Sequence, residues 1–195
     1  MRLAILGGSF NPVHNGHLYL AQSVIDQFDY DKVVFIPVLI APHKEIIMDV
    51  TAEQRLDMLR LGTANNHKFE VDTCELEREG VSYTSVTISY LEKKYEGKIE
   101  GKIGLIIGDD LAEGFSSWRN PDMLAENTDI ILAHRLFSEK NSCVPFLYPH
   151  KELHNALLPI SSTQIRESIG KKDSWRYLVP EAIYEYIVNR NLYDK

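Results

Sequence analysis

The sequence is short of several features that would announce a special environment. It has only two cysteines, Cys74 and Cys143, far apart and without C-x-x-C spacing. That excludes a dense disulfide framework and a thiolate metal site, and leaves two reduced, partly buried thiols as the expectation. No apolar run approaches the length needed to cross a bilayer. The stretch after Met1 is too short, and lacks the small-residue cleavage site, for a secretory signal, so a soluble cytoplasmic protein is expected. Positive charge is scarce: 21 Lys and Arg against 28 Asp and Glu leave a formal net charge of −7. A broad nucleic-acid or anionic-membrane surface does not follow from such a balance, so an anionic substrate must be held by a local constellation. Repeats, low-complexity tracts and Pro/Ser-rich linkers are missing as well. The 195 residues, 44% of them hydrophobic, suit one domain with a full-sized core.

What is present alternates in period. Leu3 to Leu6 and Lys32 to Val38 are compact aliphatic runs suited to strands buried on both faces of a parallel sheet. Between them Leu18, Ala21, Val24, Ile25 and Phe28 recur at helical spacing from about Gly16, which makes a βαβ unit. Thr51 to Gln54 resembles a capping box opening a helix that carries Leu56, Leu59 and Leu61. Phe69 to Leu76 reads as a strand. Thr84 or Ser85 caps a further helix through Tyr95, with Gly97 as its stop. Strands at Ile103 to Ile107 and Asp129 to Ala133 follow, separated by Pro121 and a short helix. Ser161 and Gln164 repeat the capping spacing, and Pro180 suits the first turn of a last helix ending near Asn189. The pattern predicts an α/β fold: a Rossmann-like, open, mainly parallel sheet with helices on both faces and a helical C-terminal segment.

One stretch stands out within it. Leu6-Gly7-Gly8-Ser9-Phe10-Asn11-Pro12-Val13-His14-Asn15-Gly16-His17 joins the carboxyl end of the first strand to the amino end of the first helix. Open α/β sheets place ligands there. The glycines leave backbone room for phosphate, and the free N–H groups of a helix start stabilise it without any lysine. His14 and His17, three residues apart, share a helix face and can donate hydrogen bonds to phosphate oxygens as charge builds in a transition state.

This stretch resembles the H-x-G-H signature of the nucleotidyltransferase superfamily, read here as His14-Asn15-Gly16-His17. One departure is Asn11, where the family often has Asp in G-[ST]-F-D-P. Ile160-Ser161-Ser162-Thr163-Gln164-Ile165-Arg166 resembles I-S-S-T-x-I-R, and Ala41-Pro42-His43-Lys44 resembles P-P-H-K. Glu79-Gly80-Val81-Ser82-Tyr83-Thr84, then Gly108-Asp109-Asp110 followed by Phe115 and Trp118, and Val179-Pro180 through Leu192-Tyr193 extend the likeness over almost the whole chain. Together they resemble the bacterial nicotinate mononucleotide adenylyltransferases.

The resemblance implies adenylyl transfer from Mg-ATP to nicotinate mononucleotide, giving nicotinate adenine dinucleotide and pyrophosphate in NAD biosynthesis. It makes His14, His17, Lys44 and Arg166 the catalytic set. Gly8, Ser9, Phe10, Gly16, Ser162, Thr163 and Ile165 would bind ATP and its phosphates. Tyr83, Thr84, Gly108, Asp110 and Trp118 would bind the mononucleotide, with the pyridine ring on Trp118 and ribose hydroxyls on Asp110. Mg²⁺ is expected with ATP, and no protein metal site, nucleic acid or membrane partner is implied. Each residue also has a plainer reading: Lys44 as a solvated loop residue, Ser161 to Thr163 as helix caps, Asp109 and Asp110 as turn residues, Trp118 as core filler. Phosphopantetheine or flavin mononucleotide as acceptor, and a nucleotide-binding regulator without turnover, are the competing functions.

Overall fold

The computed structural model describes residues 1–40, 50–78, 80–134 and 146–194. Lys44, with Ala41 to His43, as well as Phe137 and Cys143, lie outside the described residues. In chain order the elements are β1 (Leu3–Gly8), α1 (Asn15–Phe28), β2 (Lys32–Pro37), α2 (Ala52–Thr63), β3 (Phe69–Val71), the single turn α3 (Cys74–Glu77) and α4 (Thr84–Lys94). Then come β4 (Ile103–Gly108), α5 (Asp109–Ala112), α6 (Pro121–Asn127), β5 (Thr128–Ala133), β6 (Lys151–Leu153), α7 (Ser162–Lys171) and α8 (Glu181–Asn189). The six strands form one parallel sheet in the order β3-β2-β1-β4-β5-β6. Successive strands run outward from β1 in one direction and from β4 in the other, so the switch in direction lies between β1 and β4.

Alternation along the strands divides the interior into two layers. Ala4, Leu6, Val33, Phe35, Ile106 and Ile131 face a core completed by α1, α2, α7 and α8. Leu3, Ile5, Val34, Ile36, Leu105 and Ile130 face the other, completed by Ile88 and Leu91 of α4, Leu124 of α6 and Phe115. Burial of each such side chain stabilises by roughly 1.5–3 kcal/mol relative to exposure. The near-continuous apolar strands thus reflect a sheet covered on both faces.

Four expectations are adjusted. The strand from Phe69 stops at Val71, because the Asp72 carboxylate accepts the Cys74 N–H at 2.9 Å and turns the chain into α3. Tyr83, not Thr84 or Ser85, precedes the first turn of α4, in extended backbone and without a side-chain cap. Pro180 sits just outside α8 rather than in its first turn. Leu61 is exposed, while Arg55, Met58, Leu59 and Thr63 form the buried face of α2. The edge strand β6, three residues long, carried no periodic signal.

Candidate active site at the sheet switch point

The last paired residues of β1 and β4 are Leu6 and Ile106, and two residues beyond each lie Gly8 and Gly108. The glycine-rich stretch and the Gly108-Asp109-Asp110 segment therefore emerge side by side at the switch point. Gly7 is exposed, and a Cβ there would meet nothing within 4 Å, whereas one on Gly8 would stand 3.1 Å from the Phe10 ring. Phe10 is 1% exposed, at φ 46°. Its ring meets His17 edge-on at 5.1 Å. The Asn11–Pro12 peptide is cis.

His14 is the residue before the first turn of α1, and His17 lies at the end of that turn. Their rings stack with centroids 3.7 Å apart. Gly16 permits this, since a Cβ would stand 3.0 Å from His14 Nδ1. The backbone N–H of His14 donates to His17 Nδ1 at 3.3 Å. With Nδ1 accepting, Nε2 is left as the ring N–H donor of His17.

The second motif arrives from far along the chain. Ser161 caps α7 by accepting the Gln164 N–H at 3.1 Å. The Ser162 hydroxyl donates to the Pro12 carbonyl at 2.8 Å, and Arg166 Nη1 to the Asn11 carbonyl at 2.7 Å, across separations of 150 and 155 residues. Arg166 Nη2 also donates to Thr163 Oγ1 at 3.2 Å. The amino ends of α1 and α7 are thereby joined at one turn. The Ile165 side chain is buried in the core, so only its backbone faces the helix start.

On the β4 side Gly108 closes the strand, Asp110 is exposed and Asp109 half-buried. His134, just past β5, stands between Asp109 (Nδ1 to Oδ2, 3.6 Å) and Glu152 of β6 (Nε2 to Oε2, 3.2 Å). Trp118 is half-buried with its ring 5.1 Å from that of Phe115, which is fully buried. Tyr83 is half-buried beneath the Arg119 guanidinium, 4.8 Å from the ring centroid, and Thr84 opens α4. Among the described helices, α1, α4 and α7 have no acidic residue in the first turn, while α2, α3, α5, α6 and α8 all do. All three carry motif residues at their amino ends, whereas the start of α5 carries the carboxylates of its own motif, Asp109 and Asp110; a helix start free of carboxylates keeps its positive end for an anion.

A cytidylyltransferase-like family profile matches residues 5–168. A Borrelia garinii protein described as "Probable nicotinate-nucleotide adenylyltransferase" is 40% identical over 195 residues, covering 100% of this chain and 96% of that protein. A Treponema pallidum protein of the same description is 37% identical, covering 99% of each. The chain belongs to the nicotinate-nucleotide adenylyltransferase family. Its fold is also that of the solved Plasmodium falciparum nicotinic acid mononucleotide adenylyltransferase complexed with NaAD, with a TM-score of 0.76 at 18% identity over 98% of this chain and 97% of that one.

Around the adenylyltransferase motifs stand residues that pattern reading missed. Arg55 of α2, 8% exposed, donates to the Ser9 carbonyl at 2.6 Å, and burial lowers its pKa, against the influence of nearby Tyr193. The Tyr193 hydroxyl donates to Asn11 Oδ1 at 2.5 Å. Asn155 brackets His134, accepting its N–H at 3.1 Å and donating to its carbonyl at 2.7 Å. Behind Tyr83 and Thr84, Glu75 of α3 accepts the Thr87 hydroxyl at 2.5 Å, and burial pushes its carboxyl upward. Buried charge at Arg55 and Glu75 is the one signal that could have been read, since an arginine and a glutamate on apolar helix faces ask for partners.

Proposed function

We propose that this adenylyltransferase transfers the adenylyl group of Mg-ATP to nicotinate mononucleotide, releasing nicotinate adenine dinucleotide and pyrophosphate by direct in-line displacement. A 5′-phosphate oxygen of the mononucleotide attacks the α-phosphorus of ATP, the bond to the β-phosphate bridging oxygen breaks, and pyrophosphate leaves with the electron pair. The attacking phosphate is already ionised near neutral pH, so no general base is needed. The work is positioning and accommodation of negative charge.

The observation that carries this reading is the junction of α1 and α7 through Ser162 to Pro12 and Arg166 to Asn11. It gathers two carboxylate-free helix starts, two stacked imidazoles and a guanidinium at one turn. His17 Nε2–H and His14 serve the α- and β-phosphates. Arg166, Thr163 and the α7 amides serve the outer phosphates, and Lys44 is assigned there from sequence. Mg²⁺ is part of the nucleotide substrate, held by triphosphate oxygens and water. Tyr83, the Thr84 amide and Trp118 form the mononucleotide side, with the pyridine carboxylate at the α4 start and the ring against Trp118.

Pyrophosphate release from Mg-ATP, with nicotinate mononucleotide, nicotinamide mononucleotide, phosphopantetheine and flavin mononucleotide as alternative acceptors, tests the reading. Preference for the first is expected. Preference for another keeps the phosphate chemistry and overturns the acceptor assignment, and ATP binding without release from any of them favours a regulator.

A further inference from the structure

The turn that presents the two histidines is braced from outside its own motif. Phe10 occupies the left-handed region at φ 46°, where a residue with a Cβ is strained and persists only when its surroundings hold it. The oxygens on both sides of it are held by distant side chains. Before it, the Ser9 carbonyl accepts from Arg55. After it, the Asn11 carbonyl accepts from Arg166 and the Asn11 side-chain oxygen from Tyr193. Asn11, Arg55 and Tyr193 are 6%, 8% and 5% exposed; the Tyr193–Asn11 bond is fully buried and made away from competing water, and the bonds from Arg55 and Arg166 are partly buried. Arg55 belongs to α2 and Tyr193 follows α8, and those two helices are tied to each other by the Tyr186 hydroxyl donating to Asp57 at 2.8 Å.

We propose that Arg55 and Tyr193 are positioning residues for adenylyl transfer: they pin the Ser9 to Asn11 turn with Phe10 left-handed, and through the Phe10 ring they set where His17 stands. Arg55 and Tyr193 act through backbone and amide oxygens, and the ring contact at 5.1 Å passes their effect to the imidazole. The kinetic part of this inference rests on the adenylyl-transfer reading above, while the position of His17 can be read without it.

The experiment compares wild type with Tyr193→Phe, Asn11→Ala, their double variant, Arg55→Met and Arg55→Lys. The readouts are kcat and both KM values well below the Tm, the Tm itself, and the His17 ring signals by NMR. Tyr193→Phe is expected to lower kcat roughly five- to tenfold, with both KM values within about twofold, because a slightly misplaced donor costs the transition state more than binding. The double variant should lose no more than Asn11→Ala alone, since both remove one link. Arg55→Lys, which keeps a donor for Ser9, should recover part of what Arg55→Met loses. The His17 signals should move in Tyr193→Phe as the Phe10 ring shifts. A lower Tm with kcat and the His17 signals unchanged, or additive losses in the double variant, overturns the proposal. Should the wild type fail to use nicotinate mononucleotide, the reaction assignment falls, and the His17 signals in the conservative Tyr193→Phe variant still decide between a brace and a remote structural bond.

Discussion

Replacing His17 by alanine separates what this ring does for the fold from what it does for chemistry. In the fold it accepts one N–H at 3.3 Å, stacks on His14 and touches the edge of Phe10, while staying half-exposed. A lost helix-start acceptor costs about 1 kcal/mol, and in a chain of this size that moves the Tm by about 2–4 °C. In the proposed reaction His17 would supply an Nε2–H to charge that grows on the phosphates, and removal of such a donor lowers turnover roughly a hundredfold or more. That loss equals about 2.7 kcal/mol of barrier, well above the structural cost. Steady-state pyrophosphate release at 20–25 °C, with thermal unfolding of the same preparation, measures both. A kcat within about threefold of wild type would remove His17 from the site, and a Tm loss far beyond the range above would assign it to the fold instead.

Three other substitutions probe different links. Gly16→Ala places a Cβ 3.0 Å from His14 Nδ1; turnover should fall at least about tenfold, while the Tm holds or rises, because alanine gains up to about 1 kcal/mol over glycine in a helix. Equal activity would mean the His14 ring has room to move. Trp118→Ala should raise the KM for nicotinate mononucleotide and leave that for ATP within about twofold; the reverse pattern would relocate the pyridine pocket. Asp72→Asn should destabilise by roughly 1–3 kcal/mol at pH 7, since it breaks the 2.6 Å bond from Lys94 to a buried carboxylate. Although burial opposes it, hydrogen bonds from Lys94 and the Cys74 N–H hold the Asp72 carboxyl below its ordinary range. Its contribution is therefore complete above the unfolded carboxylate pKa of about 4 and is lost as pH falls through the lower folded value. Urea unfolding of both proteins at pH 7 and pH 3 should show a smaller gap at pH 3, and a constant gap would contradict the account.

The parts of the site carried by local pattern were legible, and the parts made by convergence were not. Gly7-Gly8, Pro12 and the histidines announce themselves because turn chemistry and helix starts are local, and β1, β2, β4 and β5 are long enough to show a buried strand. The strand pattern runs on beyond Val71 because Cys74 and Leu76 continue an apolar rhythm, whereas the turn depends on one carboxylate accepting a backbone N–H two residues on. β6 exists through pairing with β5, and three residues hold no period to detect. Asn11 read in sequence as a departure that removes a charge. In the fold its side chain and carbonyl are the meeting point of Tyr193 and Arg166, 182 and 155 residues away, a relation no window could contain.

A chain with a net charge of −7 that is to bring two polyanionic nucleotides together faces an unfavourable long-range field. Its response is local. Acidic residues occupy the first turns of most helices, the usual stabilising arrangement, and are withheld from α1, α4 and α7. At those three starts the N–H dipoles are unopposed by first-turn carboxylates, and an anion held directly at a helix start is screened little by salt that extinguishes surface attraction beyond about 8 Å. Neutral donors of this kind also suit the chemistry. In the proposed reaction they would stabilise charge as it moves from ATP toward pyrophosphate without holding the product by a fixed ion pair at every oxygen, which would leave Arg166, and Lys44 by its sequence assignment, to supply the formal charge. The brace behind the turn then has a reason: donors without net charge act through distance and direction, so their value depends on how firmly Ser9 to His17 is held.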